Sequence, residues 1–259
     1  MLFSWWRART RHRVGLSPFP PAWDEFLRRG VKQVQWLSAE ELSRLRRWML
    51  VFLAEKRFAG CRGLDIDDEM RVTIAAQAGL VALGFDELWF DRLLSVVVHP
   101  GEHRARRSEP LAGGGELEWD EPRVGQAAPD CLMLSWPDTV DGGRMRDGPR
   151  SVVIHECAHL FDGLDGEMDG IPPLPAAAAP GWAAAMHACR LRFEVALDEG
   201  RSTAFDEYAA ESEVEFFAVA SECFFQDPHR LLRHDRELYG LLATAWRQDP
   251  KSRVPSQRR

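Results

Sequence analysis

The sequence predicts an α+β fold in one compact unit, and three observations lead there. Helix-start signals precede several long stretches with apolar residues at helical spacing. Two short runs, Leu93-Leu-Ser-Val-Val-Val-His-Pro and Cys131-Leu-Met-Leu-Ser-Trp, read as strands stopped by proline. The 259 residues suffice for a single large buried core.

Along the chain, residues 1–19 read as a basic, aromatic and flexible tail: Trp5 and Trp6 are followed by Arg7, Arg9, Arg11 and Arg13. Docking on a membrane surface or an acidic partner is the alternative reading. Pro18, Pro20 and Pro21 mark where ordered structure begins. Ser38 followed by Glu41 is a capping-box start for an amphipathic helix, and a second helix is expected near 67–83. Residues 20–250 are thus expected to form one domain, with 20–92 mainly helical and 93–250 carrying the sheet and the chemistry, followed by a basic tail at 251–259. The polar, glycine-bearing stretch from Gly101 to Pro129 separates the two strands. The second, bounded by Pro129 and Pro137, suits a sheet edge. There it could align an extended peptide by strand addition or serve as ordinary sheet.

Net charge is −7, with 33 basic and 40 acidic residues, which disfavours wholesale binding to nucleic acid or anionic lipid. Five scattered cysteines without a C-x-x-C pair indicate neither a disulfide framework nor a cysteine-rich zinc module, and fit a reducing cytoplasm. The start lacks the pattern of a signal peptide, and no run approaches a membrane span, so a soluble, cytoplasmic chain is expected.

The chemistry is concentrated in His155-Glu156-Cys157-Ala158-His159, set between Val152-Val-Ile and Leu160-Phe. On a helix, imidazoles four residues apart lie on one face about one turn apart and can share one Zn²⁺. Glu156 is then placed to take a proton from metal-activated water. Gly148-Pro149 opens this helix and Gly163 ends it. Asp162, about one turn beyond His159, could orient a ligand imidazole or serve the turn at the helix end. Cys157 lies about 200° around the axis from His155 and points into the core, which argues against a cysteine hydrolase. Asp165-Gly-Glu-Met-Asp-Gly begins like a calcium loop but lacks the closing glutamate and runs into Pro172 and Pro173, so it reads as a turn-rich surface loop. No G-x-S-x-G elbow, phosphate loop or dinucleotide fingerprint is present.

A catalytic zinc site needs a third protein ligand and leaves the fourth position to water. Glu211, Glu213, Glu215 and Glu222 lie in or beside the strongly apolar run that starts at Tyr208. Glu215 could be the ligand, or could close a capping box with Ser212. Glu222, two turns on and on about the same face, is its rival.

Taken together, Phe52-Leu-Ala-Glu-Lys-Arg, Leu132-Met-Leu-Ser-Trp, His155-Glu-Cys-Ala-His-Leu-Phe-Asp, Gly170-Ile-Pro-Pro-Leu, and Tyr208-Ala-Ala with Glu215-Phe-Phe-Ala-Val-x-Ser-Glu-x-Phe-Phe resemble the Mlc titration factor A family of bacterial zinc-dependent peptidases. The likeness runs from about Trp23 to Pro250. It implies a gluzincin-like metallopeptidase in which His155, His159 and Glu215 hold one Zn²⁺, Glu156 is the general base, and Tyr208 faces the reacting carbonyl. Without the resemblance, Tyr208 could equally be a core phenol. It also implies aminopeptidase activity on peptide substrates and, as the alternative function, a regulatory protein that sequesters a transcription repressor with zinc in a secondary role. A direct nucleic-acid partner is not expected.

Overall fold

The computed structural model describes residues 2–256 except 102, 111–115, 124, 129 and 147; side chains are described over 5–101, 130–146 and 148–256. Helix α1 (Leu2–Gly15) is followed by α2 (Pro21–Gly30), a 3-10 turn at Lys32–Trp36, and α3 (Ala39–Glu55). Strand β1 (Arg57–Gly60) leads through α4 (Asp68–Ala82) to β2 (Ser95–His99). A hairpin of β3 (His103–Pro110) and β4 (Glu116–Arg123) precedes β5 (Gly125–Ala128) and β6 (Cys131–Ser135). Then come α5 (Trp136–Arg144), α6 (Val152–Asp162), α7 (Trp182–Asp198), a 3-10 turn at Glu207–Ala210, α8 (Glu213–Gln226), α9 (Pro228–His234), α10 (Arg236–Trp246) and a 3-10 turn at Pro250–Ser252.

The expected helix from Ser38 has the full reciprocal cap: Glu41 N–H donates to Ser38 Oγ, and Ser38 N–H donates to the Glu41 carboxylate. Asp67 caps α4 in the same sense, accepting from Met70 N–H. From Val72 to Ala82 every residue of α4 is buried, so this helix is hydrophobic all round and forms the centre of the molecule. It also crosses over between two parallel strands, which makes β1, α4 and β2 a β-α-β unit.

The four-stranded sheet has the order β1-β2-β6-β5, with β1, β2 and β6 parallel and β5 antiparallel to β6. This corrects the placement of the 131–136 run: β6 is not an edge strand, because β2 and β5 flank it on both sides. The edge next to it is β5, which lies in the polar, glycine-bearing stretch between the two expected strands. The Gly113–Gly115 run and Pro129 lie outside the described residues.

Two segments expected as tails are structured. In the first of them Leu2–Gly15 form α1, held against α3 and the loop after α4 by Arg11, which donates 2.7 Å hydrogen bonds to both Glu55 carboxylate oxygens and also pairs with Asp91. Charge, not an apolar stripe, fixes it, and hydrophobic spacing therefore did not reveal it. At the other end, Arg253 donates to Glu41 Oε1 (2.8 Å) and Gln248 Oε1 (2.6 Å), and Val254 is buried, so 251–254 is part of the domain; residues 257–259 lie outside the described set.

Below the sheet, α6 and α8 pack on each other and on α10. Phe161 stacks on Trp246 at 4.5 Å and Phe217 lies 6.0 Å from the same indole, whose Nε1–H donates to Ser221 Oγ. Phe216, Phe217, Phe224 and Phe225 are all fully buried. At about 1.5–3 kcal/mol for each such side chain, their burial far exceeds the ~1 kcal/mol of a helix cap, so core packing sets the position of α8.

Candidate metal centre

Helix α6 begins one residue after its N-cap, Ser151, whose Oγ accepts from Ile154 N–H. The start is thus Ser151, where the sequence suggested Gly148-Pro149; Gly148 has a positive φ and belongs to the preceding turn. Gly163 ends the helix as expected. One turn into α6, His155 and His159 face α8 with their Nε2 atoms 3.1 Å apart.

Glu215 comes from the first turn of α8. Its backbone N–H donates to Ser212 Oγ, so half of the capping box is present. Its side chain turns to the imidazoles instead: Oε2 is 3.1 Å from His155 Nε2, and Oε1 is 3.6 Å from His159 Nε2. These three residues form a cluster of ligand-type atoms able to hold a metal ion. The spacing fits a small tetrahedral cation, since bonds of about 2.0–2.1 Å put neighbouring donors ~3.3 Å apart. Two nitrogens and one carboxylate oxygen also suit a borderline metal such as zinc.

Glu222, the rival ligand, lies behind the cluster. His155 Nδ1–H donates to Glu222 Oε1 at 2.8 Å, and Ser151 N–H donates to Glu222 Oε2 at 2.6 Å. One carboxylate therefore fixes the His155 ring with Nε2 toward the cluster and also satisfies an amide at the N-terminus of α6. Ser151 Oγ donates to Gln77 Oε1, and Gln77 Nε2–H donates to Thr139 O, which ties the start of α6 to α4 and α5. This supporting role is the main one that the sequence reading missed. The repeat of glutamates seven residues apart was its only signal.

Burial alone would lower the pKa of His155. The carboxylates of Glu215 and Glu222, with Glu156, outweigh that and hold it well above the usual histidine range. Glu215 is shifted the other way: burial pushes it up, but His155, His159 and a hydrogen bond from the Tyr208 hydroxyl bring it below the ordinary value.

Glu156 is buried beside this cluster. Tyr208 sits on the 3-10 turn before α8, 40% exposed, with its ring 6.2 Å from that of His155. It is not a core phenol. Asp206 caps this turn by accepting from Tyr208 N–H, and Arg190 of α7 ties the turn to α8 by donating to Ala210 O and Glu213 Oε1. Cys157 is buried with its thiol pKa pushed up, as its place on the far side of α6 requires.

Asp162 does not reach an imidazole. Its Oδ2 accepts from Gly170 N–H at 3.0 Å, so it serves the loop after the helix, and burial raises its pKa to about 6. Gly170 has φ +81°, and a Cβ there would lie 2.6 Å from the Glu213 carbonyl oxygen. The loop thus presses on the first turn of α8, where Glu215 is carried, and only glycine permits that approach. Asp165 and Asp169 make local side-chain turns, accepting from Glu167 and Ile171 N–H, which agrees with a turn-rich loop.

A family model described as glucose-regulated metallo-peptidase M90 matches residues 3–247. Among similar proteins, an uncharacterised protein of Synechocystis sp. is 30% identical over 237 residues, covering 90% of this chain and 86% of its own. Mlc titration factor A of Salmonella typhi is 29% identical and that of Enterobacter sp. 28% identical, each over 244 residues covering 90% of this chain and 88% of the relative. No described helix is long and apolar enough to cross a membrane. The match spans α1 to α10 and includes the histidine–glutamate cluster, and the chain belongs to the glucose-regulated metallo-peptidase family M90.

Proposed function

We propose that this protein is a gluzincin-like zinc peptidase that acts as an aminopeptidase on small peptide substrates. The observation that carries this reading is the convergence of His155 Nε2, His159 Nε2 and Glu215 within 3.1–3.6 Å, with Glu156 alongside and Tyr208 on the exposed side. These three residues would hold the ion. When bound, it supplies Lewis acidity toward the peptide carbonyl and lowers the pKa of a water to about 7.

The rest is work for the side chains. Glu222 keeps His155 in the tautomer that presents Nε2. Glu156, buried and beside the cluster, accepts the proton of the attacking water and returns it to the leaving amine. Tyr208 already directs its hydroxyl at this site, donating to Glu215, and from there serves as a donor to the developing oxyanion. The outer edge of β5, last in the strand order, can take an extended peptide by strand addition, the role first considered for β6. The preference for a free amino terminus rests on the family resemblance.

A second reading rests on the family resemblance, and relatives named Mlc titration factor A keep it open: binding of a repressor, with metal in a secondary role. Among the described residues the cluster offers three protein ligands, and three favour hydrolysis. The test is hydrolysis of amino-acid anilides by purified protein, with zinc content measured in parallel. Glu156→Gln should retain metal and lose activity, and Tyr208→Phe should retain metal and lose about 10²–10³-fold in kcat. Equal turnover by wild type and Glu156→Gln removes Glu156 as the base, and a wild-type protein that binds no zinc removes the peptidase reading.

A further inference from the structure

Helix α1 has two unlike faces. Arg7, Arg11 and Val14 lie on the side toward α3, Arg11 and Val14 half-buried and Arg7 exposed, and the two arginines pair with Glu55 and Asp91. At 100° per residue, Trp5, Trp6, Arg9 and Arg13 share the opposite arc of about 100°. Trp5 is 53% exposed and Trp6 63% exposed, and Leu16, just past the helix, is 68% exposed. Among the described residues Arg9 only stacks on Trp5, at 5.3 Å, and Arg13 makes no ion pair. Large apolar side chains left in water this way, in one patch, call for a partner.

We propose that this outer face of α1 seats the protein on an anionic phospholipid surface, lying flat in the headgroup layer. Charge complementarity is local. Arg7 and Arg11 are offset by Glu55 and Asp91, which leaves Arg9 and Arg13 as the charge of this face, and no acid precedes Asp24 in the sequence, so the patch is positive on a chain whose net charge is −7. The two indoles decide in favour of lipid over an acidic protein. An indole combines a broad apolar ring with one N–H donor and suits the boundary between acyl chains and headgroups, while the neighbouring arginine stems can extend to phosphate. The inner arginines, locked on Glu55 and Asp91, keep the helix parallel to the protein surface. Its length of about 21 Å can then lie along a bilayer without unfolding anything.

The test is co-sedimentation of the full chain with vesicles of phosphatidylglycerol and phosphatidylcholine in equal amounts, and with phosphatidylcholine alone. Binding is expected on the anionic vesicles and about tenfold less without the charge. Trp5→Ala with Trp6→Ala, and separately Arg9→Glu with Arg13→Glu, should each weaken binding about tenfold or more while leaving the melting temperature unchanged, because all four side chains face solvent. Absence of binding by the wild-type chain overturns the proposal. So does undiminished binding by the tryptophan variant, especially if polyglutamate competes fully, since that result assigns the arginines to an acidic protein. Anilide hydrolysis and zinc content are independent of all these outcomes.

Discussion

Glu222 joins two jobs in one carboxylate, bonding His155 Nδ1–H and the Ser151 amide. Glu222→Gln replaces one acceptor oxygen with a donor, which then faces another donor at Ser151 or at His155. Zinc affinity should fall about 10–100-fold, read by competition with a chromophoric chelator. From spacing alone Glu222 remained a rival to Glu215, because seven residues bring a helix back to nearly the same face, and the choice of Glu215 rested on the family resemblance. Only depth separates them: Glu215 sits in the first turn, level with the Nε2 atoms, and Glu222 sits behind the ring. Asp162 was equally ambiguous for a similar reason, since three residues along a helix can lead to the next imidazole or to the end of the helix. Its raised pKa has a consequence of definite sign. Between the ordinary value of 3.8 and about 6, the folded protein keeps a proton that the unfolded chain has lost, so this contribution to stability is complete at the acid end and disappears as pH rises through 6. Asp162→Asn keeps an acceptor for Gly170 N–H and removes the buried charge. The variant should be more stable than wild type by about 1–2 kcal/mol at pH 7.5, with the advantage gone near pH 4, in urea titrations at the two pH values.

Helices and strands were legible where burial left a periodic trace. The starts of α3 and α4, the identity of β2 and β6, and the buried character of α8 all follow from caps and apolar spacing. Strand β1 was not, because four residues with little burial show no alternation. The position of β6 was misread because flanking prolines report where a strand stops, not how many neighbours it has. Glycines in α5 hold information of another kind. A Cβ on Gly143 would lie 2.4 Å from the Gly30 carbonyl oxygen and 3.0 Å from Gln77 Nε2, so the close approach of α5 to the end of α2 depends on its absence. Gly143→Ala should therefore destabilise the protein by about 1–3 kcal/mol, against the usual gain from alanine in a helix, as measured by urea unfolding.

Across the molecule, the cluster joins α6 to α8, so a cation bound there links two core helices and its binding energy adds to folding. Removing metal with a chelator should lower the melting temperature by about 5–10 °C, corresponding to ligand at ~100-fold above its dissociation constant. The same scan on Glu222→Gln should show a smaller drop, since less is bound to begin with. Arg253 reaches Glu41 at the start of α3 across more than two hundred residues. Synthesis runs from the amino end, so the first turn of α3 leaves the ribosome long before the guanidinium that braces it. Until residue 253 emerges, the Glu41 carboxylate can engage only its own helix start, and the nascent chain should carry an α3 whose first turn is capped by Ser38 but not yet braced from the far end.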